Sequence, residues 1–369
     1  MRKIKYNNYL IIISLTLILS IGLFMVYSSS SIWANYVFND KFYYLKRQFI
    51  FILIGIILMF LTSKVKLNRL RKHSLLLLIS GFLMLFFVLI PIFSVEINGS
   101  RSWFKIGTFL FQPSELFKLL MVFYMADKLE KNYHSTIHFF KTITILLIPS
   151  LIGFLLIMLQ PDFGTGVVMI GAIVMMCVLS KNKFRNYMIL GGIALLSFII
   201  LISTSDYRSE RIDAFINPYS DPLGSGFQAI QSMYAIGPGG LIGKGIDSSY
   251  QKYYYLPEPQ TDFIFSIYAE DYGFVGCLIL VSLYTLLIKA MLDRATLEKS
   301  IFKAYLDIGI ASLIIIQVCI NLCVVVGLIP VTGITLPFMS YGGSSITMLL
   351  AGIGFILNKD DGNEYFDVR

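Results

Sequence analysis

The chain has 369 residues, of which 56% are hydrophobic and only 14% charged, with a mean hydropathy of +0.75. A soluble domain carries roughly 25% charged residues, so a globular enzyme with a water-facing shell is excluded. Apolar runs longer than about 18 residues recur along the whole length and mark a polytopic membrane protein. The net charge of +8 does not indicate a nucleic-acid binder, because the basic residues fall in short clusters between apolar runs, where topology explains them. Cys177, Cys277, Cys319 and Cys323 lie inside apolar stretches without ligand spacing and read as small core residues.

Taken in order, the apolar windows predict ten spans at about 9–29, 47–63, 74–93, 114–127, 142–159, 163–180, 187–204, 263–288, 305–327 and 341–357. They are apolar throughout rather than alternating, so the expected fold is all-α, not a barrel. The first run follows Arg2, Lys3 and Lys5; it is long for a signal peptide and opens a series of spans, so it is read as an uncleaved helix. One side of the membrane collects 20 of the 30 Lys and Arg residues. That side is expected to be cytoplasmic and to hold both termini. Residues 1–358 then form a single transmembrane domain and 359–369 a short cytoplasmic tail.

The other side carries a segment near 94–113 and a long loop at about 205–262, between the seventh and eighth spans. Long ordered loops tend to be functional, so chemistry is expected outside, where a substrate must arrive already activated. The first outer block is NGSRSWFKIG from Asn98 to Gly107, followed by Gln112-Pro-Ser-Glu-Leu-Phe-Lys118. Pro113 suits a first helical turn, and Glu115 and Lys118 share one face at i, i+3 spacing. A charge near the bilayer centre costs about 2.5–3.5 kcal/mol, so the pair is either functional or a packing ion pair. Trp103 has two readings, substrate contact or interfacial anchor. Asp162, in QPDFGT, either caps the next helix or meets substrate.

In the long loop, residues 227–236 have the spacing of a short interfacial helix. Gly237 to Gly245 fails the phosphate-loop pattern, since position 238 is Pro and Gly follows Lys244; a flexible turn or lid is expected. The loop closes with YLPEPQTDFIF, Tyr255 to Phe265. Asp262 at the mouth of the eighth span is either a helix cap or a general base whose acidity burial weakens.

The stretch from Asn321 to Ser345, NLCVVVGLIPVTGITLPFMSYGGSS, resembles the signature of the SEDS family (shape, elongation, division and sporulation), and the four blocks above resemble its other motifs in the same order. The resemblance covers nearly the whole chain. It implies ten transmembrane helices and polymerisation of lipid II, the undecaprenyl-pyrophosphate-linked disaccharide-pentapeptide, into peptidoglycan by an inverting glycosyltransferase outside the bacterial cytoplasmic membrane. Asp262 matches the family's essential carboxylate. Lys118 and Arg101 are the first candidates to face the leaving pyrophosphate, Arg208 and Arg211 the next. Trp103 matches a sensitive family position, and Glu115, Asp162 and Glu258 would orient the others. A divalent cation, Mg or Mn, would meet the same developing charge, but no ligand spacing asserts one. Implied partners are a class B penicillin-binding transpeptidase and divisome or sporulation proteins, at a septum or forespore membrane.

MVYSSSSIWA, FYYLKRQ and PEPQTD resemble the division and sporulation branch more than the elongation branch. Asp271 departs from the family, which often has Glu there. Two other readings are a lipid II flippase, which needs no catalytic base but should carry charged or broken helices deep along its path, and a non-catalytic divisome scaffold.

Overall fold

The computed structural model describes residues 2–97, 99–107, 109–131, 146–179, 192, 211, 213–246, 248–253 and 256–360. Its helices are α1 Arg2–Phe38, α2 Tyr43–Thr62, α3 Leu67–Lys72 and α4 Ser74–Val88, then α5 Pro113–Lys131, α6 Ile148–Met158 and α7 Phe163–Val178, and finally α8 Phe227–Gly239, α9 Ile264–Thr296, α10 Ile301–Val325 and α11 Gly343–Leu357. The apolar windows expected as spans lie in α1, α2, α4, α5, α6, α7, α9, α10 and α11. The 187–204 span and the 361–369 part of the tail lie outside the described residues. Helices α1, α2, α9 and α10 are long and apolar enough to cross a membrane, while α4, α6, α7 and α11 are shorter apolar helices.

Two expectations are corrected. The protein is not all-α: residues 94–111 form an antiparallel sheet of strands β1 Ser94–Ile97, β2 Ser100–Ile106 and β3 Phe109–Phe111, in that order. Pairing of Val95 with Trp103 and of Lys105 with Leu110 sets the register. The sheet lies between α4 and α5, whose packed faces carry it at one end of the bundle, called here the sheet end. The expected 227–236 helix is present as α8, packed on α9 and α10.

The glycine stretch is a docked turn rather than a loose lid. Its backbone is zipped to α9: Lys244 and Gly245 donate to the carbonyls of Glu270 and Asp271, and Phe274 and Val275 donate back to Gly240 and Leu241. This is possible because α9 breaks at Gly273 (φ 63°, ψ −163°), which releases backbone groups from the helical ladder. A Cβ on Gly273 would stand 2.3 Å from the Gly243 nitrogen. The Glu270 carboxylate accepts from the Tyr250 (2.7 Å) and Gln251 (3.2 Å) amides, and Asp271 meets Lys252 (3.9 Å) and Ser28 (3.4 Å).

At the opposite end a buried ionic clamp gathers four helices. Arg294 and Lys303 both bond Asp307, Arg294 reaches Asn8 (2.9 Å) and the Asn358 carbonyl (3.0 Å), and Lys303 reaches the Phe355 carbonyl (2.8 Å). Two of the basic residues that sequence assigned to topology are therefore internal ties, each at most 2% exposed. Unpaired burial of such charges would be prohibitive.

Gly273→Ala forces a side chain into a positive φ and into the docked turn. It is expected to cost about 1–3 kcal/mol and to make residues 248–262 more sensitive to limited proteolysis; unchanged cleavage would show that the kink does not hold the loop.

Candidate active site

The segment between α10 and α11 carries the signature sequence. Residues 326–342 are largely non-helical, yet Ile334, Leu336, Phe338, Met339 and Ser340 are buried. Backbone groups there need partners inside the protein. They find them in five side chains from α2, α9, α10 and the loop at Arg211: Arg211 donates to the Val331 carbonyl (2.7 Å), Asn321 to Ile334 (2.7 Å), Gln317 to Thr335 (3.0 Å), Tyr284 to Pro337 (2.5 Å) and Gln48 to Ser340 (2.9 Å).

Asp262 is tied into the same frame. The second N–H of the Asn321 amide donates to the Asp262 carbonyl (2.8 Å), so one side chain links the carboxylate's backbone to the signature segment. A Cβ on Gly333 would lie 3.7 Å from Asp262 Oδ2. The capping alternative fails, because the residue capping α9 is Phe263, with no side-chain bond to the helix. Thr261 instead bonds the Glu258 carbonyl (2.9 Å), within a turn that holds Glu258 at φ 47°. Burial first, then the Glu258 carboxylate, push the Asp262 carboxyl up to about 7, against the opposing pull of Arg211. Asp262, Glu258 and Arg211 thus form one electrostatic group.

A second group sits across the segment. Asp162 does cap α7, accepting from the Thr165 amide at 3.3 Å, and its Oδ2 also accepts from Gln112 (2.7 Å) and Ser114 (3.1 Å). Burial raises its pKa above the usual carboxylate value, the Glu115 charge adds to that, and the Thr165 and Ser114 hydrogen bonds oppose it. Lys118 and Glu115 form an ion pair of 2.9 Å, 2% and 5% exposed, and Glu115 Oε2 has no hydrogen-bond partner among the described residues. The two groups meet at the signature segment: a Cβ on Gly164 would come within 2.7 Å of the Thr332 carbonyl and 2.5 Å of the Ile334 side chain, so only glycine permits that approach.

Not every expected residue joins them. Strand alternation turns Ser100 and Ser102 toward the bundle, where Ser100 bonds the Gln160 carbonyl (2.5 Å), and places Arg101 and Trp103 on the other face. Arg101 is exposed and paired with Glu96 at 2.8 Å; Trp103 is half-buried. Arg208 lies outside the described residues. Sequence reasoning passed over Gln48, Tyr284 and Gln317, whose only signal was a polar group inside an apolar run. Among the described residues no three His, Cys, Asp or Glu side chains converge as cation ligands would, so the donor set does not fit a resident divalent ion, and no step is routed through one.

The sequence model of the FtsW, RodA and SpoVE family, described as "Cell cycle protein", matches residues 8–364. The chain belongs to this family. It is 45% identical to "Stage V sporulation protein E" of Bacillus subtilis (strain 168) over 364 residues, covering 99% of each chain. It is 37% identical to "Probable peptidoglycan glycosyltransferase FtsW" of Coxiella burnetii, covering 96% of this chain and 95% of that protein. Among solved structures it is similar to a chain described under "Structural coordination of polymerization and crosslinking by a peptidoglycan synthase complex" (TM-score 0.75, 31% identity, 94% of this chain and 95% of that one). It is also similar to the rod shape determining protein RodA of Thermus thermophilus (TM-score 0.70, 28% identity, 94% of each chain). SEDS proteins so matched are polytopic and mostly helical, as is this chain.

Lys118→Met leaves the buried Glu115 uncompensated and is expected to lower stability by about 3–5 kcal/mol. Adding Glu115→Gln should restore much of the loss, read as the melting temperature of the purified protein in detergent. No rescue would mean that the two side chains are not coupled.

Proposed function

We propose that this chain is a SEDS peptidoglycan glycosyltransferase that polymerises lipid II, with Asp262 as its general base. The observation that carries the reading is a carboxylate fixed through Asn321 to the family's signature segment and poised near neutrality, where a base is most effective. Names of relatives given as peptidoglycan glycosyltransferases support the reaction class over a flippase or a scaffold.

Asp262 takes the proton from the acceptor sugar's 4-hydroxyl, and that oxygen attacks the anomeric carbon of the lipid-linked donor chain. The bond from that carbon to undecaprenyl pyrophosphate breaks with inversion, and the pyrophosphate leaves with the electron pair. The proton then passes from Asp262 to solvent. Negative charge growing on the leaving group calls for cations: among the described residues, Arg211, on the segment beside Asp262, and Lys118, in the Asp162 group, are assigned to it. Glu258 tunes Asp262. Asp162 and Glu115 orient Gln112, Ser114 and Lys118. Arg101 and Trp103, on the outward face of β2, are assigned to substrate approach rather than to the reacting centre, and Arg208 to the same loop as Arg211.

The sheet end is assigned to the outer face, with ten spans, both termini cytoplasmic, and residues 1–358 as one transmembrane unit joined to a cytoplasmic tail. The chain is a multi-pass protein of the bacterial cytoplasmic membrane. Its proposed partner is a class B transpeptidase, consistent with the synthase complex it resembles, and its place is a division septum or forespore membrane, the latter favoured by likeness to a sporulation protein.

Purified protein with its transpeptidase and lipid II should yield glycan polymer on gels; no polymer from wild type would refute the enzyme. Asp262→Ala should reduce the rate by about 10²–10⁴-fold, and normal polymerisation would remove it as base. Because Asp262 acts deprotonated, activity should fall as pH drops through about 7. Removing the Glu258 charge (Glu258→Gln) moves that midpoint down and Arg211→Ala moves it up; coincident profiles would break the electrostatic group.

A further inference from the structure

Gln317 is a carboxamide inside an apolar run of α10, 2% exposed. A polar side chain at such depth in a membrane helix is expensive and calls for a reason. Donation to the signature segment accounts for only half of this one. Its Nε2 donates to the Thr335 carbonyl (3.0 Å) and lies 3.4 Å from Thr335 Oγ1 and 3.5 Å from Ser345 Oγ. The carbonyl can only accept, which fixes Nε2 on that side. Oε1 is left buried, with no hydrogen-bond partner among the described residues, a state that costs stability.

Groups that donate stand around that carboxamide. Ser345 is in the first turn of α11, which begins after Gly342 and has no side-chain cap. The N–H groups of that turn have no acceptor inside the helix and carry the positive end of its dipole. Thr335, Gly342, Gly343 and Ser345 are all partly exposed. A Cβ on Gly342 would stand 3.7 Å from both Ser345 Cβ and Thr335 Cγ2, so the two hydroxyls flank one accessible spot. Among the described residues each hydroxyl only accepts, from Gln317, and keeps its proton to donate.

The spot lies one helical turn from the reaction centre. Asn321 is four residues on from Gln317, about 6 Å along α10. It ties the Asp262 carbonyl and the Ile334 carbonyl next to Thr335. That interval is the reach of one pyranose ring from its 4-hydroxyl to its 2-substituent.

The mixture of donors and acceptor discriminates between ligands. A pyrophosphate offers acceptors alone and leaves Oε1 unpaired. A metal cation suits Oε1 but is repelled by the helix N-terminus. A secondary amide answers both: its N–H donates to Gln317 Oε1, and its carbonyl accepts from the Ser345 or Thr335 hydroxyl or from the first-turn amides of α11.

We infer that Gln317, Thr335 and Ser345, at the N-terminus of α11, form the subsite that reads the 2-acetamido group of the acceptor sugar whose 4-hydroxyl faces Asp262. The inference rests on the polymerase reading above. No bond is made or broken at this subsite; it orients the ring and rejects sugars without the amide.

The test gives the full-length protein, with its transpeptidase, either lipid II or an analogue in which 2-deoxyglucose replaces the terminal N-acetylglucosamine. Wild type should prefer lipid II by roughly 100-fold in kcat/KM. Gln317→Leu should lower that preference to below roughly tenfold. Ser345→Ala keeps the bond from Gln317 to Thr335 and should lower it in the same direction. A purely structural Gln317 would slow both substrates alike. No preference in wild type, or an undiminished one in Gln317→Leu (in Ser345→Ala, should Gln317→Leu not fold), overturns the subsite and leaves the polymerase reading standing. A second arm is independent of turnover and reads Tm in detergent. Lipid II should raise the wild-type Tm more than the analogue does, and the variants should shrink that difference; this supports the subsite even if wild type makes no polymer. Equal rises in wild type overturn it, as does a rise produced by magnesium or calcium chloride alone that the variants abolish.

Discussion

A stretch of non-helical backbone buried inside a membrane bundle must find a hydrogen-bond partner for each exposed carbonyl and amide, since lipid offers none. Residues 331–340 impose that demand here, and much of the sheet end answers it. Gln48, Arg211, Tyr284 and the α10 pair Gln317 and Asn321 come from four separate parts of the chain, and each donates to one of its carbonyls. Polar side chains in apolar helices are thereby explained individually. The same bonds fix where the segment runs, and so fix Asp262, whose carbonyl shares the Asn321 amide. Packing and site geometry are one constraint.

The loop preceding Asp262 is held by a related device. An unbroken α9 would keep its amides and carbonyls within its own ladder. The left-handed residue at Gly273 frees some of them, and residues 240–245 pair with what is freed. Glu270 adds a second fixing point by accepting two loop amides, so the chain arrives at Asp262 already anchored two turns further along the helix. The base proposed at Asp262 would have to be held within hydrogen-bond reach of the proton it takes, and a loosely tethered loop of that length would not hold it.

Apolar windows located the apolar helices among the described residues because solvation by lipid is a property of local composition. Their ends were less legible: α1 runs to Phe38 and α9 to Thr296, where partly polar turns extend a helix beyond its apolar core. The sheet was readable and missed, since Asn98-Gly99 is a hairpin signal standing between the paired residues Ile97 and Ser100. Alternation along β2 would then have set Arg101 apart from Ser100 and Ser102. The Glu115–Lys118 pair was legible because its spacing is local. The partners of Gln48 and Tyr284 were not, because they lie 292 and 53 positions away, and no local pattern encodes such a contact.

Buried charge serves two purposes in this molecule, and hydrogen-bond satisfaction separates them. In the clamp of Arg294, Lys303 and Asp307, cations meet a carboxylate and several helix-end carbonyls, which is how a structural ion cluster offsets its desolvation. At the sheet end the accounting is incomplete: Glu115 Oε2, Gln317 Oε1, Asn321 Oδ1 and Thr332 Oγ1 have no hydrogen-bond partner among the described residues, and Asp262 is held near neutrality between one anion and one cation. Several buried polar groups left open around a single signature segment depart from the stabilising rule where departures are expected to be functional. A polar substrate rich in hydroxyl and amide groups is the chemistry that would complete them.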